Sequence, residues 1–455
     1  MTNDPLDNLE EYIERVRPQF EAELAELVDI PTVSSDPART ADMDRGIKLA
    51  LRLLTKAGFT VDAVPTPGYP VVVARYVKDP AYPTVTIYNH MDVQPVNRSE
   101  WESDPFSLVV SEGRYVGRGA TDDKGPALTA LVAVTYALQN QIPLNFNVIW
   151  EFEEELGSTH FEDFLTGYAQ KLPTSSVLVS DTIWISKTKP AIPVGLRGLV
   201  TFELSLRTGA KDVHSGLVGG AARNPIGELS QIITECYDAT SGHIKIPGFY
   251  DDVRPLTAAE RENLASAGFT SRQFLVDHEL TSLRTEDDAE VMSRIMAEPT
   301  FEVHGIVGGH TGPGVKTAVP AYATAKLSAR LVPGQDPRAI ADLIRDFVAA
   351  SHPDVIFTLE AAAAPYLGDV SGPYAQAAAS AVEYAFGTSP AFVREGGTIG
   401  AVLSLSQILK APVTLMGLSL PEHGYHAKNE YYDWNQASGG IKMFVKYFDE
   451  IARIA

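Results

Sequence analysis

The sequence has little cysteine, a deficit of positive charge and no long apolar run. Its 455 residues include one cysteine, Cys236, which excludes an intrachain disulfide framework and a cysteine-based zinc site. It has 37 basic and 58 acidic residues, so its formal net charge is −21. Such a surface repels phosphate backbones and anionic lipid, and we expect neither nucleic acid nor a membrane as partner. No stretch approaches the roughly 18 apolar residues that a membrane span requires.

Other absences bear on location and on the type of catalysis. The N-terminal segment MTNDPLDNLEEYIERVRPQF is acidic and amphipathic and lacks the basic and apolar regions of a signal peptide, so we expect a cytoplasmic protein. The sequence contains no G-x-S-x-G motif, and Cys236 lies in a helix-like run without a nearby pair of histidines. A serine or cysteine nucleophile is therefore poorly supported.

Two different sequence patterns along the chain predict two domains. The N-terminal part alternates helix-like segments with strand-like ones such as PVVVARYV and FNVIWEF, which is typical of an α/β fold with a mostly parallel sheet and helices on both faces. The region 246–296 is polar, and beyond it two strand-like segments bracket the helix-like DPRAIADLIRDFVAASH. We predict a discontinuous catalytic domain, residues 1–196 and 367–455, with an inserted α+β lid and dimerisation domain at 197–366. The later segment VREGGTIG is predicted to be a loop.

One run of acidic residues could be either a solvent-exposed surface feature or part of a functional site. The stretch VIWEFEEELGSTHF carries Glu153, Glu154 and Glu155 directly after a predicted strand. Such a run is commonly a solvated helix N-terminus, because carboxylates complement the helix dipole. In an open α/β sheet, however, ligands bind at the carboxyl ends of the strands, so these acids could also face a site. YNHMDVQP ends another strand, where His90 could bind a metal and Asp92 could orient its ring.

Further candidate ligands occur in other loops and strand ends. GRGATDDKGP places Asp122 and Asp123 in a glycine-flanked loop, where an aspartate either caps the next helix or bridges two metals. Asp181 ends the strand-like SSVLVSD, and His423 and His426 lie in EHGYHAKNE. Carboxylates and imidazoles together are the ligand set of a two-metal hydrolase. Zinc, manganese and cobalt all accept these ligands, so the pattern does not select the metal.

A series of motifs resembles the dinuclear zinc metallopeptidase family that includes carnosinase-type dipeptidases, carboxypeptidase G, aminoacylase and succinyl-diaminopimelate desuccinylase. The motifs are, in order, NHMDVQP, GRGATDDKG, EFEEELGS, DVHSGLVGG, SARLVPG, REGGT and HGYHAKNE. The segments IPGFYDDV and SDTIWISKTKPAIPVGLRGL are most similar to the dipeptidase branch. The resemblance implies hydrolysis of dipeptides or short peptides with a free C-terminus. The alternative is an N-acyl-amino-acid deacylase or desuccinylase with the same machinery.

The resemblance also implies a role for each candidate in the site. It makes Glu154 the general base and Asp122 the bridging ligand, with a cis peptide between Asp122 and Asp123. It gives Glu153 no role, so we expect Glu153 to be solvated. It implies two divalent metal ions per subunit, zinc first and manganese or cobalt as alternatives. The implied metal ligands are His90, Asp122, Glu155, Asp181 and His426. A non-catalytic relative would lack the base or a ligand, whereas this sequence has all of them.

Outside the metal site, the resemblance implies substrate contacts and a homodimer. His214, in DVHSGLVGG, is implied to donate to the oxyanion in the partner subunit's site, so the inserted domain would mediate dimerisation. Arg330 is implied to bind the substrate carboxylate, which a guanidinium grips with two hydrogen bonds. The other implied substrate contacts are Asn224, Arg394, Gly397 and Thr398. Histidines predicted to be structural or surface residues are His243, His278, His304, His310 and His352.

Overall fold

A computed structural model describes residues 5–265 and 267–454 of the chain. The strands are β1 (Thr60–Val64), β2 (Val71–Tyr76), β3 (Thr84–His90), β4 (Val109–Ser111), β5 (Arg114–Val116), β6 (Asn145–Glu151), β7 (Ser176–Val179), β8 (Ala191–Leu196), β9 (Gly198–Arg207), β10 (Val213–His214), β11 (Thr300–Gly308), β12 (Ala318–Val319), β13 (Tyr322–Leu331), β14 (Ile356–Ala363), β15 (Tyr366–Leu367), β16 (Ala391–Glu395), β17 (Val413–Leu415) and β18 (Tyr431–Asp433).

The helices alternate with these strands. They are α1 (Leu9–Val28), α2 (Thr40–Lys56), α3 (Gly125–Gln139), α4 (Phe161–Tyr168), α5 (Ser215–Val218), α6 (Pro225–Cys236), α7 (Ala258–Ala265), α8 (Ser271–Asp277), α9 (Asp288–Met296), α10 (Pro337–Ser351), α11 (Pro373–Phe386), α12 (Gly400–Leu409) and α13 (Trp434–Ile451). Within the described residues, no helix combines the length and the apolar character needed to cross a bilayer.

A six-stranded sheet forms the centre of the larger part of the fold. Its order is β1-β2-β6-β3-β7-β17, and the strands from β6 to β17 run parallel to one another. Every residue of β3 and β6 is buried, as expected for parallel strands that are covered on both faces. This arrangement confirms the predicted α/β class with a mostly parallel sheet.

Helices cover both faces of this sheet. On one face, side chains of α1, α2, α3, α11 and α13 pack with the strands in a single core, where Phe146 meets Phe448 edge-on. The helix α3 is apolar around most of its circumference because it lies between α1, α13 and the sheet. On the other face, α4 and α12 pack against side chains such as Tyr88 and Ile149. The parallel strands therefore end at one edge between two helical layers.

A second, antiparallel sheet lies within the middle of the sequence. Its order is β11-β13-β9-β14, and it packs on α6 and α10 around a separate core. Every second side chain of β9 faces this core, where Val200, Phe202 and Leu204 are buried. This confirms the predicted inserted α+β part. The boundaries 1–196, 367–455 and 197–366 stay predictions, and residues 1 and 455 lie outside the described range.

One local expectation was wrong. VREGGTIG is not a loop throughout, because its first three residues belong to β16, which pairs in parallel with β8. The polar region 246–296 contains the helices α7, α8 and α9. Sparse apolar residues of that region, Leu264, Met292 and Met296, pack against Ala391 and Val393 of β16. The high polarity of the region thus reflects exposure of its outer face.

Candidate metal centre and active site

The predicted ligands converge at the carboxyl edge of the six-stranded sheet. His90 is the last residue of β3, and Asp181 comes just after β7. Glu154 and Glu155 begin a short helical turn that follows β6. These three strands are neighbours and parallel, so their ends lie side by side.

Two groups of three ligand atoms lie close enough to hold a metal ion, and they share Asp122. The first triad is His90–Asp122–Asp181, and the second triad is Asp122–Glu155–His426. Within each triad the ligand atoms lie within 4.8 Å of one another. His90 Nε2 lies 3.0 Å from Asp122 Oδ1, and His426 Nε2 lies 3.0 Å from Asp122 Oδ2. The two oxygens of one carboxylate therefore face two different groups, as a bridging ligand requires.

The backbone around Asp122 separates it from Asp123. The peptide between them is cis, as the resemblance implies. Asp123 Oδ2 accepts hydrogen bonds from Asn89 Nδ2 at 2.7 Å and from the His90 N–H at 3.3 Å. Asp123 is thereby held by β3, while Asp122 faces the two histidines.

The charges of the site suit divalent cations. Burial raises the pKa of Glu154 well above its usual range, and the carboxylates of Asp181 and Glu155 add to the rise. Burial also raises the pKa of Asp181 to about 6. Hydrogen bonds to Asp122 and Glu155 raise the pKa of His426 to about 10. The site thus crowds several carboxylates in buried surroundings. Their oxygens, together with the imidazole nitrogens of His90 and His426, are ligands that zinc-like ions accept.

Asp92 holds the turn that carries the predicted base. Its Oδ1 and Oδ2 accept hydrogen bonds from the backbone N–H groups of Glu154 and Glu155, each at 3.1 Å, and Ser34 Oγ donates at 2.7 Å. Nδ1 of His90 lies 3.0 Å from the Asp92 carbonyl oxygen and 3.5 Å from Oδ1. Asp92 therefore contacts the His90 ring, as predicted, and also positions the acidic turn, which the sequence pattern did not indicate.

The expectation that Glu153 is solvated was wrong. Glu153 is only 6% exposed, and its Oε2 lies 2.7 Å from His160 Nδ1. The 66–69 loop covers it so closely that a Cβ on Gly68 would lie 2.0 Å from Glu153 Oε1. The acidic run is a single tight turn rather than the start of a long helix, so its first glutamate points inward.

Three of the predicted substrate contacts lie together where the end of β13 meets the segment that follows β16. Arg330 of β13 donates from Nη1 to Thr398 Oγ1 at 2.9 Å. The carbonyl oxygen of Gly397 accepts a hydrogen bond from the Arg197 N–H at 3.1 Å. Burial lowers the pKa of Arg330, as expected for a guanidinium in a partly dry pocket.

The other predicted contacts have local partners. Asn224 caps α6 by accepting hydrogen bonds from the first turn of that helix. Arg394 is 5% exposed and forms an ion pair with Glu260 of α7. His214 is exposed and accepts a hydrogen bond from the Gly216 N–H at 2.9 Å. Within the described residues, the structure thus keeps His214 and Asn224 occupied as helix caps.

Two residues close to His426 in the sequence make supporting contacts, and only His423 of the two was a candidate from the sequence. Tyr425 donates from its hydroxyl to Asp181 Oδ1 at 2.9 Å. His423 is buried and contacts Asp433 Oδ2 at 3.2 Å. Among described residues, His423 belongs to neither triad, and nor do the histidines predicted to be structural or surface residues. The motif EHGYHAKNE therefore supplies one candidate ligand and several supporting residues.

Comparison with known proteins identifies the family. The model of "Peptidase family M20/M25/M40" matches residues 86–450. The chain belongs to peptidase family M20/M25/M40. The predicted family and the predicted hydrolytic enzyme are therefore confirmed.

Named relatives in the M20 family point to its dipeptidase branch. The chain is 31% identical to the Cys-Gly metallodipeptidase dug1 of Schizosaccharomyces pombe over 99% of each chain. It is 30% identical to the Beta-Ala-His dipeptidase of Homo sapiens, covering 99% of this chain and 93% of that protein. The crystal structure of the M20 family metallo-carboxypeptidase Sso-CP2 from Sulfolobus solfataricus is similar, with a TM-score of 0.89, 30% identity and coverage of 95% and 99% of the two chains.

Proposed function

We propose that this protein hydrolyses dipeptides and short peptides with a free C-terminus, using two divalent metal ions and Glu154 as general base. The observation that carries the proposal is the pair of ligand triads that share Asp122, with Glu154 in the adjoining turn. Metal-dependent hydrolysis of dipeptides agrees with the family and with both named dipeptidases. The family match and the two named dipeptidases do not favour the alternative, an N-acyl-amino-acid deacylase.

The two ions would be held by different sides of the cluster. His90 and Asp181 would complete one position, Glu155 and His426 the other, and Asp122 would serve both. We propose zinc, which carboxylate and imidazole ligands bind well, while manganese and cobalt suit the same ligands. When bound, two such cations polarise a peptide carbonyl and acidify water.

Glu154 would perform the proton transfers. It lies beside the ligand Glu155, and Asp92 fixes its backbone through a hydrogen bond of 3.1 Å. A carboxylate there accepts a proton from the attacking water and passes it to the leaving amine. The buried surroundings that raise its pKa favour the protonated form, which is the form that the second transfer needs.

The substrate would lie between the metal cluster and the group formed by Arg330, Gly397 and Thr398. We propose that Arg330 binds the C-terminal carboxylate in a bidentate manner, next to Thr398 and Gly397. Burial of Arg330 strengthens such a contact because less water competes for the guanidinium. Arg394 and Asn224 are weaker candidates, since their side chains already have partners in the chain.

His214 would act on the site of a second subunit. We propose a homodimer formed through the inserted domain, residues 197–366, in a cytoplasmic enzyme. His214 is exposed on that domain, with its Nδ1 engaged by Gly216. Its Nε2 would donate to the oxyanion of the neighbouring site, which a two-fold dimer makes reciprocal.

A substrate panel with controlled metal content tests this function. We expect purified protein to contain two divalent ions, to lose dipeptidase activity after chelation and to regain it with zinc. Dipeptides with free termini should be cleaved far faster than N-acetyl- or N-succinyl-amino acids. Preferential cleavage of the acylated amino acids would make the protein a deacylase, and full activity in metal-free protein would contradict the two-metal proposal.

A further inference from the structure

We infer that the buried ion pair Arg118–Glu430 is a positioning unit that holds Asp122 and His426 in register with each other. This inference rests on the proposed two-metal function. The two ligands come from distant parts of the sequence, and their relative position fixes the second triad, Asp122–Glu155–His426. A contact that joins both of their loops is therefore a contact on which this triad depends.

The Glu430 carboxylate holds the loop that carries Asp122. Its Oε1 accepts hydrogen bonds from the backbone N–H groups of Thr121 at 2.9 Å and of Asp122 at 3.1 Å. Its Oε2 accepts from the Gly119 N–H at 3.0 Å and from Arg118 Nη1 at 2.7 Å. Glu430 has no exposed surface, so each oxygen is committed to two donors of this loop.

Arg118 carries the connection to the loop that bears His426. Its Nη2 donates to the carbonyl oxygen of Ala427, the residue after His426, at 3.1 Å. Its guanidinium lies over the Trp101 ring, 5.4 Å from the centroid, and Arg118 is 3% exposed. The Gly117 N–H adds a backbone hydrogen bond to the Glu430 carbonyl oxygen at 2.9 Å. One planar guanidinium thus joins both ligand loops.

The backbone conformation of the loop that bears His426 explains why this loop needs a positioning unit. His426 has φ +55° and Asn429 has φ +54°, both in the left-handed region that residues other than glycine seldom occupy. Residues in this region persist only where surrounding contacts hold them. The Arg118 and Gly117 hydrogen bonds provide contacts of this kind at both ends of the turn between His426 and Glu430.

The stability of the fold alone does not explain why an ion pair is buried at this position. Apolar residues of similar volume often stabilise a fold equally well, because burying charges has a large desolvation cost. Apolar side chains, however, cannot accept four directed hydrogen bonds or donate to a carbonyl oxygen. The pair therefore contributes geometry to the Asp122 and His426 loops.

Metal titration of full-length variants tests the inference. Glu430→Gln replaces one acceptor oxygen by an NH₂ group that faces other donors, and Arg118→Lys keeps the charge without the fork that reaches Ala427. We expect either change to weaken binding of the ion held by Asp122, Glu155 and His426 by about 10- to 100-fold, the usual effect of losing a partner that orients a ligand. The ion held with His90 and Asp181 should be affected less. The titration uses zinc with a competing chromophoric chelator.

Amide hydrogen exchange supplies a readout that does not depend on the ions. In metal-free protein, both variants should exchange faster than wild type over residues 117–122 and 424–430. Glu23→Gln is the matched control, because Glu23 is a buried carboxylate paired with Lys56 at 2.7 Å in another part of the fold. That control should leave the zinc affinities and the exchange of both loops unchanged.

The outcomes separate this inference from the proposed function. Wild-type zinc affinity and wild-type exchange in both Glu430→Gln and Arg118→Lys would overturn the positioning role. Equal losses in the Glu23→Gln control would also overturn it, since the effect would then be general destabilisation. If wild-type protein itself binds fewer than two ions, the two-metal function fails. The exchange of the two loops then decides the positioning role by itself.

Discussion

Nε2 of His426 lies 3.0 Å from Oδ2 of Asp122, the carboxylate oxygen that does not contact His90. The second triad therefore forms only when the C-terminal part of the chain has packed against the loop that precedes α3. Asp122 belongs to both triads, and its two carboxylate oxygens face different histidines. Removal of this side chain is the most direct way to disturb both at once.

Asp122→Ala should abolish binding of both metal ions. Each triad would keep only two side chains, and the site would lose one of the negative charges that attract the cations. Metal analysis after dialysis measures this, with Asp163→Ala, an exposed aspartate of α4, as control. A variant that retains two tightly bound ions would contradict the bridging role.

Arg330→Ala should change the response to C-terminal amidation. In wild type, converting the substrate carboxylate to an amide removes a charge-assisted bidentate contact, so kcat/KM should fall on the order of 10²-fold. In the variant the same conversion should have little effect, because the partner of the carboxylate is already absent. Arg330→Lys keeps the charge and should fall between the two. Equal amide penalties in wild type and Arg330→Ala would place the carboxylate contact elsewhere.

Glu151 should make stability depend on pH. Burial raises the pKa of Glu151 to about 8, although hydrogen bonds from Tyr88 and Ser158 act against the rise. Between its ordinary value of 4.5 and about 8, the folded chain binds more protons than the unfolded chain. The free energy of unfolding therefore falls as pH rises through this window, and the loss is complete above the folded pKa.

Glu151→Gln isolates this contribution. The glutamine does not titrate, so the unfolding free energy of the variant relative to wild type should increase from pH 5 to pH 8, by up to a few kcal/mol. Denaturant unfolding of metal-free protein at several pH values measures the difference. Glu162→Gln, on the exposed side of α4, should show no such trend. A difference independent of pH would mean that Glu151 is already ionised in the folded chain.

His214 should complement a defect in another subunit. His214→Ala and Glu154→Ala homodimers should both be nearly inactive, since each site lacks either the oxyanion donor or the base. In a mixed dimer, one site combines an intact Glu154 with an intact His214 from the other chain. Activity should return to about half that of a wild-type dimer. Subunit exchange without recovery of activity would show that His214 does not act across the dimer.

The sequence predicted well which side chains meet at the edge of the sheet, because their signals are local. His90, Asp181 and the acidic turn each follow a strand-like segment directly, and parallel strands bring such ends together without further information. The alternation of helix-like and strand-like segments likewise predicted the α/β fold. The assignment of roles, in contrast, needed the family resemblance.

What the sequence did not predict depends on contacts between distant segments. Glu153 is buried because the 66–69 loop and His160 surround it, and neither is visible from an EEE run. Asp92 holds the backbone of Glu154, and Glu430 holds that of Asp122, across 62 and 308 residues. Both use main-chain N–H groups, which every residue except proline has, so no residue type marks the partner.

The central claim is that Glu154 transfers protons beside a two-metal site, and Glu154→Gln tests it most directly. This change keeps the volume of the side chain and removes the carboxylate. The account predicts two bound ions, as in wild type, and a fall in kcat of about 10²- to 10⁴-fold, the usual worth of a general base. Glu153→Gln, the adjacent change at a buried glutamate outside both triads, should keep kcat within a few-fold of wild type. Near-normal turnover by fully metallated Glu154→Gln would contradict the account.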